Sequence, residues 1–299
     1  MPDVLPHSLS ATRARAILLV IASGATFAIA SASVKAVGPD IPLWQIVLFR
    51  NSVAFVALLP VLHAAGGLRL MATKHPLGHA QRIFWGLIGM VTVFYGFIHL
   101  PLAVVTALGF TMPLFLTALA MLLLKEQVGW RRRTAVAVGF LGVLFMAQPQ
   151  PGEETNLLAV GLVLFGAFAW AMAMLSIKAL GEKGEPAVAI VAWFALGSAV
   201  IAAVLTVPVW VTPNWWQLGL LLTIGVVSAA AQLMMTEAYR TGETTLIAPF
   251  EYSQILWTAA LGALIWYEMP DAWDALGITL LVGAGLYIWH REVRLGVRR

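Results

Sequence analysis

Cysteine is absent from this 299-residue chain and charge is scarce, with Asp, Glu, Lys and Arg together making up 11% of it. Without cysteine there can be neither a disulfide framework nor a thiolate metal site. A water-soluble domain carries roughly 25% charged residues, so this chain cannot present a solvated surface over most of its area. The HExxH and GxSxG patterns of hydrolases are missing, as are paired acids on facing helices, which argues against an enzyme. No GxxxxGK[ST] loop offers a phosphate cradle for ATP. What is plentiful is apolar: 61% of the residues are hydrophobic and the mean hydropathy is +0.88. The apolar stretches run to about 20 residues, the length a helix needs to cross a hydrocarbon core of roughly 30 Å. They lack the two-residue alternation of an outer-membrane barrel strand. The expectation is an all-α integral membrane protein, a bundle of spanning helices.

Ten spans can be marked, at about Ile17–Val37, Leu43–Ala65, Ile83–His99, Ala103–Leu124 and Thr134–Gln148, then Leu157–Ala179, Ala187–Val207, Trp215–Thr236, Leu246–Ile265 and Trp273–Trp289. Turn signals separate them: GPDIP, HLP, QPQPG, VTPN and MPD. Arg13 and Arg15 precede the first span as in a signal peptide, but the apolar run to Val37 is too long for a cleaved segment. Cations set the orientation. With the N-terminus in the cytoplasm, nearly every Lys and Arg, Arg82 and the Arg131–Arg133 triplet among them, falls on the inner side. The outer side keeps only Lys35, and Arg50 lies within a helix. Both termini are therefore expected in the cytoplasm. The net charge of +4 is explained by this topology, and nucleic acid is not needed to account for it. The basic triplet could also contact lipid headgroups.

The chain repeats itself. Aligning SGATFAIASASVKAVG with FGAFAWAMAMLSIKALG places Phe27 on Trp170 and Lys35 on Lys178. A shift one residue shorter places LKE at Leu124–Glu126 on WYE at Trp266–Glu268. The expected organisation is a first five-helix repeat over residues 1–148, a periplasmic linker over 149–156, and a second five-helix repeat with a short basic tail over 157–299. Because five is odd, the second copy enters the membrane from the opposite side. Inverted repeats of this kind build many secondary transporters, with the substrate site near the midplane between the halves.

LPLAVVTALGFTMPLF followed by LKEQVGWRRRTAVAVGFLGVLFMAQP, and YRTGETTLIAPFEYSQILWTAALGALIWYE followed by GITLLVGAGLY, resemble the drug/metabolite transporter superfamily, specifically its EamA-type carriers. FRN at Phe49–Asn51 and APFEY at Ala248–Tyr252 are similar to the S-adenosylmethionine-carrier branch; aromatic amino acid exporters share the architecture. The resemblance implies a ten-helix bundle around a central cavity, opening alternately to the two sides and moving small organic metabolites.

The polar positions inside the spans are the candidate cavity residues. Glu251, Gln254 and Thr258 share a face at helical spacing, with Tyr252 beside them. A mid-membrane charge costs roughly 2.5–3.5 kcal/mol on insertion scales, so this stripe should face away from lipid. Glu251 then meets a cationic substrate group or a proton, or else locks two helices by bonding Gln232 or Arg240. The matching position in the first half is Gly109, so the repeat itself does not require the carboxylate. Arg50 either receives a substrate carboxylate or caps carbonyls of the Lys35 to Pro42 loop. Thr92, Tyr95 and His99 form a stripe on the third span, His99 being an interfacial anchor or a titrating group. Phe27 and Trp170 sit among small residues and could wall a cavity or pack the core; Trp44, Trp193 and Trp257 are the other deep tryptophans. Ser228, Gln232 and Tyr239 track one face of the eighth span.

The resulting expectation is a secondary carrier in the inner membrane, working as a monomer or weak homodimer with lipid and a small-molecule substrate as partners, and needing no cofactor. Its cargo would be amino acids moved outward, or in the alternative S-adenosylmethionine or a related metabolite imported or exchanged.

Overall fold

The computed structural model describes residues 6–115, 119, 130–146, 156–241 and 250–295. Ten α-helices lie within them: α1 Pro6–Val37, α2 Leu43–Ala65, α3 Pro76–His99, α4 Leu102–Gly109, α5 Trp130–Met146, α6 Leu157–Glu182, α7 Ala187–Thr206, α8 Trp215–Thr241, α9 Ser253–Trp266 and α10 Ala272–Leu295. No strand occurs among the described residues. Six of the helices, α1, α2, α3, α6, α7 and α8, are long and apolar enough to cross a membrane, and the other four carry shorter apolar segments.

Local sequence sets the helix ends. Proline stands just before or at the first turn of α2, α3, α4 and α7 (Pro42, Pro76, Pro101 and Pro186), where its fixed φ suits the start and no amide hydrogen is missed. Asn156 caps α6 by accepting from the amide of Ala159 at 3.0 Å. At the far end of α9, Tyr267 adopts a left-handed conformation, φ 60°, unusual for a residue with a side chain. It reverses the chain so that the Glu268 amide donates to the Gly262 carbonyl at 3.1 Å.

Helices of the two halves interleave. The main partners are α1 with α8, α2 with α7, α3 with α6, α4 with α9 and α5 with α10. Exchanging the halves converts the first pair into the third and leaves the other three unchanged. Glycine permits the tightest of these crossings: a Cβ on Gly89 would lie 3.2 Å from the Gly166 carbonyl, and one on Gly142 only 2.6 Å from that of Gly277. Leu18, Val56, Leu144, Val204, Leu256 and Leu264 are more than half exposed, the apolar outside that lipid requires. The buried cluster draws on α1 to α10 alike, with Ile41, Ile46, Leu102, Leu108, Leu221 and Leu281 among its most enclosed members.

The fourth span departs from expectation. Instead of one helix over Ala103–Leu124, α4 stops at Gly109, turns at Phe110 and Thr111, and resumes over residues 112–115. The Phe110 amide is shared between the Thr106 and Ala107 carbonyls at 3.2 and 3.0 Å, and Thr111 bonds back to Leu108. Pro113 has no amide hydrogen to donate to the Gly109 carbonyl, so the helical bond that would carry α4 past the turn is missing. The ninth span, expected as Leu246–Ile265, has a turn at Tyr252, with α9 starting only at Ser253. Residues 116–118 and 120–124 of the fourth span and 246–249 of the ninth lie outside the described residues.

Candidate functional site

The two interruptions meet. Phe110 and Tyr252 stack at a tilted 4.8 Å between ring centroids, and the shift that aligns the ends of the two halves places one on the other. Tyr252 reaches across to α10, its phenol filling the space that a side chain at Gly285 would take. Glu251 is half-buried one residue before the turn. The helical stripe expected to join Glu251, Gln254 and Thr258 is therefore broken at Tyr252. Thr258 is fully buried and its hydroxyl is spent on the carbonyls of Gln254 and Ile255, both at 3.0 Å, so it packs α9 rather than facing a pathway. Gln254 and Ser253 sit against Gly24 of α1, each with an atom 3.4 Å from where a Cβ on that glycine would stand.

Arg50 is not spent on the Lys35 to Pro42 loop. Its Nη1 donates to Asn51 Oδ1 at 3.1 Å and approaches the Met90 sulfur at 3.6 Å, which carries the charge across to α3. Arg82, assigned by its loop-proximal position to the inner surface, also lies inside the bundle. Its guanidinium packs 4.0 Å from the centre of the Phe194 ring, in room left by Gly86.

The other sequence candidates spread out. Tyr95 stacks on His99 at 3.9 Å while His99 Nδ1 lies 2.8 Å from the Tyr95 carbonyl, so His99 serves the end of α3. Thr92 bonds carbonyls of its own helix, Ile88 at 2.9 Å and Gly89 at 3.1 Å. Phe27 is half-buried on α1, Gln232 is exposed on α8, and Trp170 is 42% exposed on α6. Trp193 is fixed by its indole bond to the Met71 carbonyl, 2.9 Å. Ser228 is buried; the side chain of Tyr239 lies outside the described residues.

Each end of the bundle carries a polar tie between halves. At one end Lys35 pairs with Glu268 and donates to the Leu100 carbonyl at 2.8 Å, with its ammonium 5.5 Å from the Trp266 ring. Glu268 also accepts from the Leu102 amide at 3.2 Å. Nearby, Gln45 exchanges two hydrogen bonds with Val211, at 2.8 and 3.2 Å. At the other end Thr73 donates to Glu185 at 2.5 Å. His79 Nε2 stands 3.4 Å from the same carboxylate, an ion-pair distance without hydrogen-bond geometry. The Thr73 bond, followed by the nearby His79 and His75, holds the Glu185 carboxyl below its ordinary range against the opposing effect of burial. Sequence reasoning missed both ties. The signal for the first was present: each half has a lysine closing its first helix and a glutamate after its fourth.

An open groove of about 370 Å³ runs beside α2 and α7, lined by Leu48, Ala203, Thr206, Val207 and Trp210. It holds no charged side chain and cannot recognise a charged solute. Among the described residues no cluster of His, Asp or Glu could hold a metal ion.

The family model described as "EamA-like transporter family" matches residues 14–148 and again residues 157–289. The chain belongs to this family. It is thus a multi-pass transporter of the bacterial inner membrane and not an enzyme. It is 26% identical to an S-adenosylmethionine uptake transporter of Rickettsia prowazekii over 86% of each chain. Identity is 30% to a pseudopaline exporter of Pseudomonas aeruginosa, over 90% of this chain and 93% of the other, and 27% to a riboflavin transporter of Vibrio cholerae, over 93% of each. A solved crystal structure superposes with a TM-score of 0.65 over 95% of this chain and 99% of that one; at 16% identity it speaks to the fold alone.

Proposed function

We propose that this transporter is a secondary carrier for amino acids and amino-acid-derived metabolites, working by alternating access between two inverted five-helix halves with both termini in the cytoplasm. The observation that carries the reading is the contact of two interrupted helices at Phe110 and Tyr252. Broken helices expose backbone groups at membrane depth only where they line a cavity or are covered by protein, and carriers built from inverted repeats bind substrate at such breaks. The symmetric helix pairing supports the inverted repeat, and the distribution of Lys and Arg supports the orientation.

Glu251, beside one break, receives a cationic group of the substrate or a coupling proton. Tyr252, Gln254, Phe27, Tyr95, Trp170, Gln232 and Arg50 border the path. The Lys35–Glu268 tie closes the outer side and the Thr73–Glu185 tie the inner, so that opening one side requires parting one of them. Free amino acids moved outward are the favoured cargo. Uptake of S-adenosylmethionine is the second reading, favoured by the likeness to the Rickettsia protein over 86% of each chain.

The test is uptake into proteoliposomes of labelled amino acids and S-adenosylmethionine, with and without a pH gradient, for the parent and Glu251→Gln. Transport by the parent that the substitution abolishes, or strips of its pH response, upholds the cavity carboxylate. Unchanged transport by a folded Glu251→Gln protein removes Glu251 from the site.

A further inference from the structure

We infer that Arg50 and Arg82 together form a carboxylate clamp at the middle of the membrane, so that the transported metabolite carries a carboxylate. The inference rests on the carrier reading above and names the chemistry of its cargo. Arg50 starts from α2 about two turns inside the Lys35 end, and Arg82 starts from α3 about two turns inside the opposite end. Their side chains nevertheless converge. Arg50 Nη1 reaches Met90, while the Arg82 guanidinium folds back into the room left by Gly86. Residues 82, 86 and 90 follow one another at four-residue spacing on a single face of α3, so the two charged heads sit roughly one turn, about 5.4 Å, apart along that helix. Residues 86 and 90 flank the midpoint of α3. Arg82 also lies within range of the Arg50 charge.

Among the described residues no carboxylate pairs with them. The ion pairs described, Lys35–Glu268 and His79–Glu185, involve neither arginine. Arg50 spends Nη1 on a neutral amide and a thioether. Arg82 is satisfied only by an aromatic face, and its Nε and Nη1 are buried without a hydrogen-bond acceptor among the described residues. Buried donors are nearly always paired, and two like charges at membrane depth are retained where a pathway uses them. Guanidinium forks match the two oxygens of a carboxylate. A carboxylate between the heads would neutralise the repulsion and fill the open donors together.

A phosphate offers the same oxygens, from solution or from a lipid headgroup, and the test separates these sources. The full-length protein in phosphatidylcholine nanodiscs would be titrated with S-adenosylmethionine, L-phenylalanine and L-methionine, each beside its decarboxylated amine, following the thermal midpoint. Inorganic phosphate, and nanodiscs containing phosphatidylglycerol, form separate arms. The expected result is that at least one carboxylate stabilises the protein while its amine does not. Arg50→Gln and Arg82→Gln should each weaken that Kd by roughly tenfold or more, and Arg82→Lys, which keeps the charge but not the fork, should recover part of the loss. Should Arg82→Gln not fold, Arg50→Gln and Arg82→Lys decide. Stabilisation by no carboxylate, by acid and amine alike, or only by phosphate or phosphatidylglycerol overturns the clamp. Counterflow in liposomes separates the two readings. Transport of a compound without a carboxylate, untouched by both glutamine variants, overturns the clamp and leaves the carrier. Arginine-dependent binding without counterflow upholds the clamp and overturns the carrier.

Discussion

Glu268→Gln should open the outer side. In the structure Glu268 joins three separate segments, through Lys35 at the end of α1, the Leu102 amide at the start of α4, and its own position past the end of α9. The side chains of Lys35 and Glu268 are 11% and 21% exposed, so solvent screens the pair far less than a surface pair. A hydrogen bond to a charged group contributes about 1.5–3 kcal/mol, and desolvation offsets part of the attraction. If the tie forms only while the outer side is closed, losing it shifts the balance between states by about that amount, or roughly 10- to 150-fold in population at 1.4 kcal/mol per tenfold. The absence of native cysteine makes a single engineered thiol a unique reporter. Thr106 suits it, being 6% exposed, one turn beyond Leu102, and bonded only to the Leu102 carbonyl at 2.8 Å. The labelling rate of Thr106→Cys by a membrane-impermeant maleimide should rise at least tenfold when Glu268→Gln is added. Lys35→Gln should act the same way, and the double variant should be no worse than either single one. Labelling that stays unchanged, or effects of the two substitutions that simply add, would refute the tie as an outer closure.

Three further expectations follow from particular contacts. Gly142→Ala would press a methyl group to 2.6 Å from the Gly277 carbonyl, so the thermal midpoint should fall with a loss of about 1–3 kcal/mol; Gly161→Ala, with nothing within 4 Å, should be neutral or mildly stabilising. The depressed Glu185 carboxyl contributes stability that is complete above the ordinary glutamate range near 4.3 and is lost as pH falls through the lowered folded value. Melting curves from pH 7 to pH 3 should therefore show a decline below about pH 4.3 that Glu185→Gln flattens; identical pH profiles for the two proteins would contradict it. Trp193→Phe keeps an aromatic side chain but removes the donor to Met71 and the pyrrole part of the indole, and should lower stability by about 1 kcal/mol or more through the abandoned carbonyl and the lost packing, read as a lower midpoint in denaturant.

Much of the fold was legible because lipid imposes a simple rule: apolar runs of spanning length, separated by proline and glycine turns, mark the helices. Leu43–Ala65 coincides with α2, and the Trp215 start matches α8. The breaks at Phe110 and Tyr252 were not legible, since both segments read as unbroken apolar runs and the effect of Pro113 on its neighbours depends on what covers the freed backbone. Glu251 was visible as a lone carboxylate among apolar residues. Arg82 was not, because the apolar run opens at Ile83 and an arginine just before it reads as a topology cation; only the room at Gly86 and the ring of Phe194, both brought by folding, turn it inward. The same holds for the Lys35–Glu268 tie, whose partners stand far apart in sequence and whose geometry depends on the left-handed Tyr267.

Counterflow in proteoliposomes tests the central claim most directly. Vesicles loaded with unlabelled amino acid or S-adenosylmethionine and diluted into a trace of the labelled compound should show a transient accumulation of label above equilibrium, saturating with substrate. Label that rises only to equilibrium, without overshoot or saturation, would contradict a carrier that exposes one site alternately to the two sides.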